Sequence, residues 1–241
     1  MVLIDDMTQF FPPYDEDVLK TTQEVPLFPL SKVVLLPGEP LPLHIFEERY
    51  RIMTESAISS ERLIAMAHLK PGLDKGLENR DGIYDVCGLG RIVLEEKLAD
   101  GKYNLVLVGL KRIKINRIVQ EKPYMRAEVE ILPDQFSQTS GHLISSLSSE
   151  INDYGLKLMS LRKKKLLDDA PSQIFDNLKT ENLPLSSLCD LFAAALSLPA
   201  SEKQMIMEEI DVIRRAKTLL FALRYEIQSF TYGSHALNLL H

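Results

Sequence analysis

Five histidines, two cysteines and a scatter of serines are the side chains with catalytic or metal-binding potential, and their spacing supports neither use. A zinc-type centre needs closely spaced ligand pairs such as C-x-x-C or H-x-x-x-H. His44, His68, His142, His235 and His241 form no such pair, and Cys87 and Cys189 lie in different regions of the chain. His44 reads as a hydrogen-bonded core or strand-edge histidine, and the cysteines as small buried hydrophobes. Two distant cysteines make no disulfide framework, which fits a reducing cytoplasm. Several serines cluster in 137–149, but no G-x-S-x-G elbow accompanies them. No G-x-x-x-x-G-K-[ST] loop is present to cradle a nucleotide phosphate. The expectation is a chain without catalytic residues, metal or cofactor.

Binding chemistry is what remains. A net charge of −6, with 45% hydrophobic and 26% charged residues, describes a soluble globular protein. The acidic balance argues against nucleic acid and anionic membranes as partners, since both are recognised through basic patches. No apolar run approaches the ~18 residues of a membrane span. Asp5 and Asp6 occupy the place of a signal peptide's positive region. One basic run, Lys111–Arg117, alternates Arg112, Lys114 and Asn116 with Ile113 and Ile115. That pattern reads as an amphipathic strand with a solvated outer face. A second run, Arg162–Lys165, fits a position covering a helix end.

The elements that must position any binding surface begin at residue 25. Short apolar runs at 25–30, 33–36 and 41–46 are broken by Pro26, Pro29, Pro37, Pro40 and Pro42. Proline lacks a backbone donor and so belongs at sheet edges, strand starts and turns. Sharply bent strand pieces are expected, followed by a helix over 46–59 with Phe46, Tyr50, Met53 and Ala57 on one face. Strands are expected over 62–69, 84–95, 103–110, 113–119 and 125–132, with an Asp100-Gly101 hairpin turn. Gly90 marks a possible bulge. Lys70–Gly82 reads as an exposed loop.

Near Thr139 the period changes to a helical one. Leu143, Leu147, Ile151, Tyr154, Leu158 and Leu161 form a stripe in which Gly155 suggests a break. Helices are expected over 171–178 and 184–198, and Ser201–Gln204 reads as a capping box opening one long helix from Met205 to Phe230. The domain organisation expected is an acidic tail over 1–24, a β-rich domain over 25–134 and a helical bundle over 139–232.

The stretch 25–50 resembles the opening of the Lon protease N-terminal, substrate-receiving domain, "P-L-F-P-L… V-V… P-G… P-L-x-I-F-E-x-R-Y". Pro26, Leu27, Phe28, Pro29, Leu30, Val33, Val34, Pro37, Gly38, Pro42, Leu43, Ile45, Phe46, Glu47, Arg49 and Tyr50 stand in the matching places. Val86–Val93 and Val108–Arg112 resemble later family segments, and Leu196, Lys203, Gln204 and Glu208 a motif ahead of its long helix. The resemblance implies an α+β fold, with a six-stranded PUA-like pseudo-barrel and one helix followed by a helical bundle. The ATPase loop and the Ser–Lys protease dyad of a complete Lon are both missing, so the chain looks like a freestanding substrate-receiving domain.

It follows that the chain is expected to bind unfolded or substrate proteins, with a full-length protease as a candidate partner, and the alternatives are an RNA-binding PUA-like module and a peptidase activity inherited from the full-length family. Leu30, Leu35, Leu36, Leu41 and Leu43, next to strand-breaking prolines, are the candidates for an exposed apolar patch. Gly72, Gly76 and Gly82 make the 70–82 loop a candidate gate.

Overall fold

A computed structural model describes residues 23–72, 80–137, 140–165, 180 and 183–238. The strands are β1 (Gln23–Leu30), β2 (Pro40–Ile45), β3 (Leu63–His68), β4 (Val86–Lys97), β5 (Tyr103–Gln120) and β6 (Met125–Ile131). The helices are α1 (Glu48–Ile58), α2 (Gly141–Lys165), α3 (Leu185–Ala195), α4 (Ala200–Glu208) and α5 (Val212–Asn238). The expected helix over 171–178, Gly76 and the tail up to residue 22 lie outside the described residues. Among the described residues, no helix is long and apolar enough to cross a membrane.

The strands form a six-stranded sheet in the order β2-β5-β4-β3-β1-β6, and β5 pairs again with β6, so five strands close on themselves. The long β5 makes this possible. Its Tyr103–Val108 half carries β2, and its Ile113–Gln120 half carries β6. The two strands expected over 103–110 and 113–119 are therefore one. A register shift opposite Leu89/Gly90 leaves Leu110 unopposed, which puts the expected bulge at Gly90. The bulge turns the strand over, so odd-numbered residues face one core before it and a second core after it.

One core gathers Leu27, Ala65, Leu89, Ile113, Ile115 and Ala127. The other gathers Leu35, Ile45, Met53, Ile64, Leu105 and Leu107, and takes the Tyr50–Met53–Ala57 face of α1. β3 is buried along its whole length because it contributes to both. Between β1 and β2 the chain lies flat on the sheet. Gly38 donates to the carbonyl of Gly109 at 2.8 Å, and Gly109 returns a bond to Glu39 at 3.0 Å. A Cβ on Gly88 or Gly109 would overlap the carbonyl oxygen of Leu35 or Leu36, so these two positions require glycine.

The chain falls into two compact units, and Ser197–Ile210 belongs with the strands rather than with the other helices. α4 is fastened there by the residues of the Lys203-Gln204 motif. Lys203 Nζ pairs with Glu39 Oε1 at 3.0 Å, and Gln204 Nε2 donates to the Val86 carbonyl at 2.9 Å. Arg112 Nε donates to the Met207 carbonyl at 3.1 Å. The expected capping box is not made, because Pro199 is the N-cap and no side chain caps the first turn. Nor does one helix run from Met205 to Phe230. The chain extends at Glu209, and Asp211 starts α5 by accepting from the Arg214 amide at 2.9 Å. The Ser137 hydroxyl, followed by the Arg214 amide, holds the Asp211 carboxyl below its usual range.

In the other unit α2, α3 and α5 pack on one another. Arg162 donates to the Ala195 carbonyl at the end of α3 and pairs with Glu226, the helix-covering role its basic run suggests. Gly155 does not break α2, which runs through it. Its missing Cβ admits the Phe192 ring. Gly155→Ala is expected to destabilise by about 1–3 kcal/mol despite alanine's better helix propensity. Thermal unfolding checks this, and an unchanged midpoint would mean that the helices separate freely.

Candidate functional site

Leu35 and Leu36 are fully buried and cannot present an apolar patch. They anchor the 31–39 segment against Gly88, Gly90 and Gly109. Leu30, Leu41 and Leu43 are half-buried and pack against the core beneath α1. Proline beside a leucine interrupts strand pairing, but it leaves the side-chain alternation intact, and the leucines took the inner face. Gly72 lies in the turn after β3 at φ +81°, and Gly82 closes a short 3-10 turn. The ends of their loop are joined where Lys70 donates to the Gly82 carbonyl at 2.9 Å.

The same alternation places the exposed surface. With Leu41, Leu43 and Ile45 inward on β2, Pro42 and His44 face outward. With Tyr103, Leu105 and Leu107 inward on β5, Asn104 and Val106 face outward. The pairings Pro42↔Val106 and Val106↔Leu94 then make one apolar row across three strands. Leu94 is 38% exposed. Beside it runs a polar row, in which His44 Nδ1 and Asn104 Oδ1 are 2.8 Å apart and Asn104 donates to Glu96 at 3.2 Å. His44 is thus a strand-edge, hydrogen-bonded histidine. Its ring stacks on Phe46, which is 61% exposed. The stripe expected on α1 includes Phe46, but the helix starts two residues later and turns Tyr50, Met53, Thr54 and Ala57 inward.

Hydrogen bonds tie α1 to the sheet beneath. Glu55 of α1 accepts from Lys97 Nζ and Tyr103 Oη, both at 2.8 Å, at the tip of the β4–β5 hairpin. These donors, Lys97 first, hold the Glu55 carboxyl below its usual range. Two prolines in β2 remove donors that an added strand would use, so contact with a partner here must be made by side chains. The signal available in the sequence was Ile92-Val93-Leu94: three successive apolar residues break the period of two, and the register shift there turns Leu94 outward.

The basic run offers less than its sequence promised. Arg112 is buried under α4, Lys114 pairs with Glu130 at 3.6 Å and Arg117 with Glu128 at 2.6 Å. Both cysteines are buried thiols. Among the described residues no group of His, Cys, Asp and Glu is placed to hold a metal ion.

Comparison with known proteins agrees with this architecture. Lon protease 2 of Myxococcus xanthus is 28% identical over 200 residues, covering 82% of this chain and 23% of that protease. Lon protease of Dictyoglomus thermophilum is 28% identical over 220 residues, covering 89% and 26%. The chain therefore spans about a quarter of the length of these relatives. Among solved structures, the N-terminal domain of Mycobacterium avium complex Lon protease shares the fold with a TM-score of 0.61 at 20% identity, covering 84% of this chain and 98% of that one. The Lon N-terminal domain protein from Xanthomonas campestris gives 0.55 at 22% identity, covering 82% and 97%. Residues 24–224 match the family described as the ATP-dependent protease La (LON) substrate-binding domain, and the chain belongs to that family.

Proposed function

We propose that this chain is a non-catalytic recognition module that holds exposed apolar segments of other polypeptides on the Pro42–Val106–Leu94 row, with Phe46 as its aromatic anchor. The observation that carries the reading is this row of solvent-facing apolar side chains on a sheet face, in a member of a substrate-binding family. Aromatic side chains bury much area at little entropic cost, so an exposed Phe46 stacked on His44 of the neighbouring polar row suits a surface that grips many sequences. A closed sheet with an edge blocked by proline favours side-chain contact over strand addition, and so tolerates varied substrates. Family membership suggests a Lon-type protease as the partner that would receive what is held, in protein quality control. The burial of Arg112 and the pairing of Lys114 and Arg117 weigh against an RNA-binding, PUA-like reading.

The test is the affinity for fluorescently labelled casein, read by anisotropy. Phe46→Asp combined with Leu94→Asp is expected to weaken binding at least about tenfold, or ~1.4 kcal/mol, with an unchanged melting temperature because both sites are exposed. Unchanged affinity in the double variant, or no binding by the parent chain, would overturn the proposal.

A further inference from the structure

α5 carries a second exposed surface, independent of the sheet row. At about 100° per residue, Arg214, Lys217, Thr218, Phe221, Arg224 and Tyr225 fall within one third of the helix circumference, all exposed. The opposite side holds the buried residues Val212, Ala216, Leu219, Leu223 and Ile227. Phe221 is 74% exposed and Tyr225 69%, the two most exposed large hydrophobic side chains among the described residues. Such a pair at i and i+4 makes one continuous ridge.

Three cations, Arg214, Lys217 and Arg224, and two carboxylates, Glu150 and Asp211, surround the ridge, which leaves it a net positive charge. Arg224 is held in place by Glu150 of α2 and lies 5.2 Å from the Tyr154 ring centre. Arg214 is 69% exposed, 4.0 Å from Asp211. Lys217 projects from the same face, and no exposed residue between Arg214 and Ser229 is acidic. This cationic strip stands in a chain whose net charge is −6.

We propose that this face docks an acidic polypeptide segment carrying an aromatic or large apolar side chain. The ridge supplies the apolar contact and the flanking cations pair with carboxylates. Two copies of the face would oppose cation to cation, which disfavours self-association. Nucleic acid is normally held through several phosphate contacts along a basic track, longer than these three cations provide.

The probe is a labelled random copolymer of glutamate and tyrosine, followed by anisotropy with the full chain, against polyglutamate and single-stranded oligothymidine. The copolymer is expected to bind more tightly than polyglutamate and to weaken as salt rises from about 0.05 to about 0.5 M. Phe221→Ser and Lys217→Glu should each weaken it several-fold with unchanged melting, while Phe46→Asp leaves it unaltered. The proposal is overturned if the parent chain does not bind the copolymer, or if both α5 variants bind it as the parent does. It is equally overturned if oligothymidine binds as tightly as the copolymer, or if Phe221→Ser converts a dimer to a monomer in sedimentation.

Discussion

Leu35→Asp is expected to leave the chain unfolded, with a flat thermal trace and the circular dichroism of a coil. Leu35 has no solvent exposure and lies in the core beneath α1, beside Leu107, Ile92 and Met66. A carboxylate there has lost its water and gained no donor, a cost of several kcal/mol or more. Total stabilities are about 5–15 kcal/mol, so one such charge suffices. The milder Leu35→Ala should cost about 2–5 kcal/mol and leave a folded chain that still binds casein. Gly88→Ala tests the same crossing from the sheet side, since its Cβ would meet the Leu35 carbonyl oxygen and force backbone to move. A folded Leu35→Asp protein with weakened casein binding would return Leu35 to the surface and discard the Pro42–Val106–Leu94 row.

Why Leu35 and Leu36 were misplaced, in a 33–36 piece that forms no strand, while the other strand pieces were found is a matter of which signal each depends on. Strand existence follows from local composition, and the pieces at 25–30, 41–46, 62–69 and 125–132 all form strands within a few residues. Facing depends on the partner. In residues 33–36 every side chain is apolar, so no alternation tells inside from outside, and Leu35 and Leu36 are buried because glycines in β4 and β5 let the segment lie on the sheet. Those glycines are visible in the sequence, but their role appears only when the segments are brought together.

The helical part fails in the same way. Ser201–Gln204 has the residue types of a capping box, yet Pro199 begins the helix and Gln204 is used on the Val86 carbonyl. A long-range hydrogen bond won over the local one. The family motif around Lys203 and Gln204 was legible as a motif, while its job, clamping α4 to the strands, was not. Phe46 shows the converse. Its periodicity with Tyr50 was real, but the helix begins at Glu48, so the ring escapes the stripe and stays exposed against His44.

Asp190→Ala should destabilise the chain by about 3–5 kcal/mol, the second large effect expected. Arg215 is completely buried on α5, with Asp134 at 2.5 Å and Asp190 at 3.9 Å. Burial works hardest against its charge, but the two carboxylates outweigh it and keep the guanidinium protonated. Asp190 is 4% exposed and Asp134 has a one-third exposed side chain, so water can replace the second carboxylate but not the first. Asp134→Ala should accordingly cost less than Asp190→Ala. Removing both charges is the decisive arm, read by chemical denaturation. Asp190→Leu with Arg215→Met leaves only the one-third exposed Asp134 carboxylate, which water can reach, without its ion partner and should be more stable than Asp190→Ala alone. If the single variant lost under about 1 kcal/mol, within the range of an exposed pair, water would have to reach Arg215, and the helices around it would pack less closely than their buried side chains imply.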